Sequence, residues 1–234
     1  MKKYITKSHK NIMKERKEFT LFNSINIFVK DPLSQDVNLT NIIMDIEDTI
    51  PQHFFYEIEM IIVGQFNELI SRDIRAAYMD GAIYVTNNQP SEEQLFEDIV
   101  HEIAHAVEKS HEYQIYGDDL VEKEYLGKKK RFLDLLQASG IKVPNRIRYE
   151  TEYSKLFDEY LFFELGYDKI MPFSQGLFLT PYASVSVSEY FATAFEYYFV
   201  QANLPYVKEI SPQLFNKLRE ISETGGMVWK INLF

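Results

Sequence analysis

Two runs of apolar, β-branched and aromatic residues lie near the start of the chain, at 19–31 (FTLFNSINIFVKD) and 53–65 (HFFYEIEMIIVGQ), and both predict strands. Between them, residues 41–50 fit a short helix that must stop before Pro51. Residues 75–87 fold into a predicted hairpin, with RAAYM and AIYVT joined by Asp80-Gly81, a favoured two-residue turn. After a polar break at 87–91, Ser91 is placed to cap a helix. Glu92 and Glu93 fall in its positive first turn, and Leu95, Ile99, Ile103 and Val107 recur at helical spacing. Further helices are predicted at 118–139, ended by Gly140, at 151–165, ended by Gly166, and at 189–201 and 212–222, whereas 167–186 reads as irregular or extended. Strands first and helices after predict an α+β fold, a small twisted sheet beside a mostly helical half. A single domain over 1–234 is expected, with a sheet-containing part at 18–90 and a helical part at 91–234 that holds an insert at 112–180.

Composition narrows the chemistry. The chain has 234 residues, 46% of them hydrophobic, with 16 Tyr, 18 Phe and 1 Trp, enough to build a real core. With no cysteine, disulfides, Cys-ligated zinc, iron–sulfur clusters and thiol nucleophiles are excluded, so a metal site must use His and carboxylates. A net charge of −10 argues against a nucleic-acid partner. The charge is uneven: residues 1–17 hold seven Lys/Arg and one acid. This basic tail lacks the apolar segment of a signal peptide, and no run approaches the ~18 residues of a membrane span. The expectation is therefore a cytoplasmic protein, with export by a non-classical route left open.

The residues with the clearest chemistry are His101-Glu102-Ile103-Ala104-His105, in the middle of the Ser91 helix. Histidines four apart share a helix face, so both imidazoles reach one ion, and Glu102 sits where a carboxylate can take a proton from water. This is the HExxH pattern of zinc hydrolases. Catalytic zinc takes three protein ligands and keeps one position open. One candidate for the third is His111, ten residues after His101, the metzincin spacing. The glycine that lets a metzincin chain turn back is Glu108 here, at a cost of order 1 kcal/mol or more for a left-handed turn. On a continued helix His111 lies about 80° away from His101.

The other candidate lies in Tyr182-Ala-Ser-Val-Ser-Val-Ser-Glu189-Tyr-Phe-Ala-Thr-Ala-Phe195. An HExxH helix followed by Y-x6-E-[FY]-F-A-x-[AS]-F resembles the anthrax lethal factor catalytic domain and the related Pro-Pro endopeptidases. The resemblance covers residues 98–108 and 182–195. It implies a zincin-like fold, with Glu189 as third zinc ligand and Tyr182 as the hydroxyl that steadies the tetrahedral intermediate. Ala192 and Thr193, three and four residues after Glu189, keep that helix face small enough for close approach. Should both candidates fail, Glu159 and Glu164 in the insert come next. The 84 residues from His105 to Glu189 exceed the stretch in compact members of the family.

The reading is a zinc metallopeptidase of gluzincin type, an endopeptidase with one Zn²⁺ per chain held by His101, His105 and Glu189. Glu102 is its general base, Tyr182 its oxyanion donor, and a peptide or protein its substrate. Strand Ala82–Thr86 is a candidate to pair with an extended peptide. The alternative is a catalytically idle zincin-fold protein that binds other proteins. Cleavage specificity and oligomeric state have no signature in the sequence.

Overall fold

The computed structural model describes residues 19–144, 147 and 150–231, with side chains to residue 223. The basic tail expected at 1–17 lies outside the described residues. The fold class is α+β. The chain divides into two compact units, residues 1–106 and 107–234.

The first unit is built on a five-stranded mixed sheet. Its strands are β1 (Phe19–Leu21), β2 (Ile25–Val29), β3 (Met60–Gly64), β4 (Ala76–Met79) and β5 (Ala82–Thr86), in the spatial order β1-β2-β3-β5-β4. β2, β3 and β5 run parallel, while β1 and β4 close the two edges antiparallel to their neighbours. Strand alternation buries one face: Ile27, Ile61 and Ile83 pair side by side in the core, and Val63 pairs with Val85 beside them. Helix α1 (Leu39–Thr49) buries Leu39, Ile42, Ile43 and Ile46, and a short α2 (Asn67–Arg72) precedes β4.

Three sequence expectations change here. Residues 19–31 are two strands: Phe22 and Asn23 take positive φ (51° and 55°) and turn the chain back. No Gly or Pro marks that turn, and Phe22 is held by edge-to-face packing on Phe55, with ring centroids 5.1 Å apart. The start of the 53–65 run is a 3₁₀ turn, Gln52–Phe55, which follows Pro51 and buries Phe54 and Phe55, so the strand begins only at Met60. β5 is flanked by β3 and β4 and offers no free edge to a peptide, and among the described residues the edge strand on that side is β4. The Asp80-Gly81 hairpin forms as expected, with φ of 49° and 82° at its two turn residues.

Helix α3 (Glu92–Ser110) follows β5. The Ser91 hydroxyl accepts the Gln94 N–H at 3.1 Å, and Glu92 receives the Asn38 N–H at the entrance of α1 at 2.6 Å. Arg75, just before β4, pairs with Asp98 at 2.9 Å, which fixes the helix along the edge strand. The second unit begins at Val107, inside α3.

That second unit contains α4 (Glu112–Tyr116), α5 (Leu120–Ala138), α6 (Lys155–Glu159), a π-helical turn (Tyr160–Leu165), α7 (Tyr167–Ser174), a 3₁₀ turn (Tyr182–Ser184), α8 (Val187–Phe199), α9 (Leu204–Ile210) and α10 (Pro212–Ile231). The expected 151–165 helix starts only at Lys155, because the Thr151 carbonyl accepts the Val187 N–H at the start of α8 (2.8 Å). Residues 167–186, expected to be irregular or extended, include α7 and the 3₁₀ turn, with Pro172 tolerated inside α7.

Tyr125, Phe178 and Tyr190 form an aromatic core with centroids 5.7–6.1 Å apart. The Lys128 ammonium donates to the Tyr190 hydroxyl at 2.7 Å and to the Ile210 carbonyl. The Tyr190 hydroxyl donates to Glu124 (2.7 Å), whose other oxygen takes the Gln213 N–H at the start of α10 (3.1 Å). One buried network therefore ties α5, α8, α9 and α10. Among the described residues, no helix is long and apolar enough to cross a membrane.

Lys129 is fully buried. Its ammonium lies over the Phe157 ring at 4.3 Å and donates to the Glu150 carbonyl at 2.7 Å. Burial lowers Lys128 and Lys129 to about 8, offset in part by Glu124 and Glu150 respectively. A lysine lowered in the folded state leaves the unfolded chain binding more protons between about pH 8 and about 10.4. These two groups therefore make stability rise across that window and leave it flat below. Urea unfolding at pH 7.5 and 9.5 should show the rise, and Lys129→Met should reduce it. The buried phenols of Tyr125 and Tyr190, both raised, oppose the trend only above about pH 10.

Candidate metal centre

α3 carries His101 and His105 on one face, one turn apart. Their Nε2 atoms are 3.2 Å apart and their rings cross at 81°. Two nitrogens each about 2.0–2.1 Å from a tetrahedral ion stand about 3.3 Å apart, so the pair has the spacing that one zinc requires. Glu189 joins them: one ligand atom from each of His101, His105 and Glu189 lies within 4.8 Å of the others. Two imidazoles and a carboxylate are nitrogen and oxygen donors of the kind zinc takes, and they need no sulfur.

Local structure delivers Glu189. Ser186 is extended (φ −148°, ψ 167°) and caps α8, its hydroxyl accepting the Glu189 N–H at 3.1 Å. The carboxylate thus sits in the first turn, where the helix dipole favours negative charge. Ala192 and Thr193 are buried on the same face, so small residues do line it.

Glu102 is only 8% exposed. Its Oε2 accepts the backbone N–H of Tyr78 at 2.6 Å. The Thr86 N–H bonds the Arg75 carbonyl, which makes residues 75, 77 and 79 the hydrogen-bonded positions toward β5. The N–H and C=O groups of Ala76 and Tyr78 therefore point out of the sheet, and Glu102 occupies one of them.

Tyr182 lies on its 3₁₀ turn, which is anchored by the Tyr125 hydroxyl on the Ser184 carbonyl at 2.8 Å. Burial and then the negative charges of Glu189 and Asp158 push its phenol far up, so it stays a proton donor throughout the physiological range. Tyr167 stands edge-on to it, with centroids 6.1 Å apart, and is likewise raised by burial and by Asp158. Asp158 accepts from the hydroxyls of both Tyr153 (2.9 Å) and Tyr167 (3.2 Å).

The rival third ligands fall elsewhere. His111 precedes α4, its Nδ1 3.0 Å from the Val107 carbonyl and 2.9 Å from the Ser110 hydroxyl, and it is not in the three-residue group. Glu159 pairs with Lys155 at 3.6 Å, and Glu164 is exposed on the π-helical turn.

No family model matches the chain, and no curated protein or solved structure matches it either.

Several contributors had escaped sequence reasoning. A backbone donor such as the Tyr78 N–H leaves no trace in residue identity. Glu108 and Ser188, which hydrogen-bond to each other, were within reach: Glu108 follows His101 by seven residues and so shares its face.

The Tyr78–Glu102 bond is directly measurable. A backbone N–H held at 2.6 Å by a carboxylate resonates downfield and exchanges slowly. In Glu102→Ala the Tyr78 amide proton should move upfield and exchange faster, read by ¹H–¹⁵N spectra and hydrogen exchange.

Proposed function

We propose that this chain is a zinc-dependent endopeptidase with a zincin-like fold, akin to the lethal factor and Pro-Pro endopeptidase group. The supporting observation is the convergence of His101, His105 and Glu189 within ligand-sharing distance. The residues at 101–105 and 182–195 that carry the family resemblance are also those that furnish the group and its neighbours.

When bound, Zn²⁺ supplies a Lewis acid that makes water acidic near neutral pH and polarises a carbonyl. His101, His105 and Glu189 hold the ion. Glu102, oriented by the Tyr78 N–H, accepts the proton of the attacking water and passes it to the leaving amine. The Tyr182 hydroxyl, kept protonated by burial and nearby carboxylates, donates to the carbonyl oxygen as negative charge develops there. An extended peptide pairs with the outer edge of β4 through the backbone groups of Ala76.

Metal analysis should find about one zinc per chain. Glu189→Ala should abolish tight uptake, because it removes a coordinating group, whereas His111→Ala should leave zinc content unchanged. Failure of the wild-type protein to take up zinc would overturn the proposal. Glu102→Gln should keep zinc while cleavage of a peptide library falls by about 10²–10⁴-fold. Tyr182→Phe should also keep zinc and lose about 10²-fold in the chemical rate.

A further inference from the structure

Glu108 stands one turn beyond His105 on α3, on the ligand face of that helix. In the sequence it is notable only as the residue that replaces the metzincin glycine. In the structure its two carboxylate oxygens take two hydroxyls: Oε2 accepts from Ser188, and Oε1 from Tyr116 on α4. Ser188 directly precedes Glu189, and both lie in the first turn of α8. The Tyr116 phenol is pushed well above its ordinary range by burial and then by the Glu108 charge, so it remains a donor.

We propose that Glu108 is a positioning residue for the metal centre: through the Ser188 hydroxyl it fixes the first turn of α8, and so the Glu189 carboxylate, against the helix that carries both histidines. The inference rests on the zinc reading above. A carboxylate with two hydroxyl donors is a stiff, charge-assisted anchor. The neighbouring Ser186 cap fixes only the local turn of α8, since the two partners of that bond are three residues apart. Glu108 adds a link 80 residues away in sequence, on the helix that holds the other two ligands. This also accounts for the absence of a metzincin glycine: the position that would free the chain to bring His111 back is used to hold the third ligand from elsewhere.

The test uses the full-length protein with Zn²⁺ in chelator competition and Co²⁺ as a spectroscopic reporter. Ser188→Ala and Glu108→Ala should each weaken Zn²⁺ affinity by about 10–100-fold, as changes outside the coordinating atoms typically do. The double variant should lose no more than the worse single one, because both remove the same bond. The visible Co²⁺ spectrum should change in each single variant, and Ser188→Thr, which retains a hydroxyl, should recover most of the affinity. Thermal unfolding of the metal-free proteins provides the folding control. If Glu108→Ala fails to fold, Ser188→Ala carries the test alone, since it removes one hydroxyl.

Wild-type affinity and spectrum in Ser188→Ala would overturn the proposal, as would fully additive losses in a folded double variant. Absence of Zn²⁺ uptake by the wild-type chain would remove the metal reading itself, and this inference with it. Uptake by the wild type with unchanged variants would remove only the role of Glu108.

Discussion

Keeping a carboxylate charged away from water costs several kcal/mol unless hydrogen bonds or an opposite charge replace its hydration. Glu102 and Glu189, with 8% and 9% of their surface exposed, both face that demand. Glu102 is met by a backbone N–H from the sheet edge, and Glu189 lies at the positive end of a helix capped by Ser186. Glu108, half-buried further along the helix that carries Glu102, is met by two hydroxyls. Each solution draws on a different element, and each constrains the chain locally. The edge strand has to run beside α3, α8 has to begin where it does, and the segment before it has to close on Ser186 rather than continue as strand or helix.

The tyrosines fit the same electrostatic logic. Tyr125, Tyr167 and Tyr182 are all pushed up by burial and, to differing degrees, by the Glu189 charge. A neutral phenol can stand near a buried carboxylate as a donor without adding charge of its own. In a chain without cysteine, and with His101 and His105 grouped beside Glu189, phenol hydroxyls are the natural proton donors for such an interior.

Much of this was legible in the sequence where local chemistry alone decides conformation. The Ser91 cap with its acidic first turn gave α3, Asp80-Gly81 gave the hairpin, and Pro51 gave the end of α1. The HExxH spacing brought out His101 and His105, and the Y-x6-E pattern Glu189, the three residues that come together. Illegible features depended on partners far along the chain. The Phe22-Asn23 turn is secured by Phe55, and residues 151–154 stay out of the helix because Val187 claims the Thr151 carbonyl. β5 looked like a docking strand because periodicity reveals a strand but not which neighbours flank it. Residues 167–174 read as irregular or extended, yet they form α7 with Pro172 inside it.

The two margins of the sheet are short, three residues in β1 and four in β4. Short margins are one of the ways proteins avoid zipping onto copies of themselves. On β4 the protection goes further, because the outward donor of Tyr78 is already claimed by the Glu102 side chain. Truncating that side chain uncovers a backbone donor on this margin. A chain truncated in this way would carry a new adhesive edge, and its tendency to self-associate would differ from that of the parent chain for reasons that lie in the sheet.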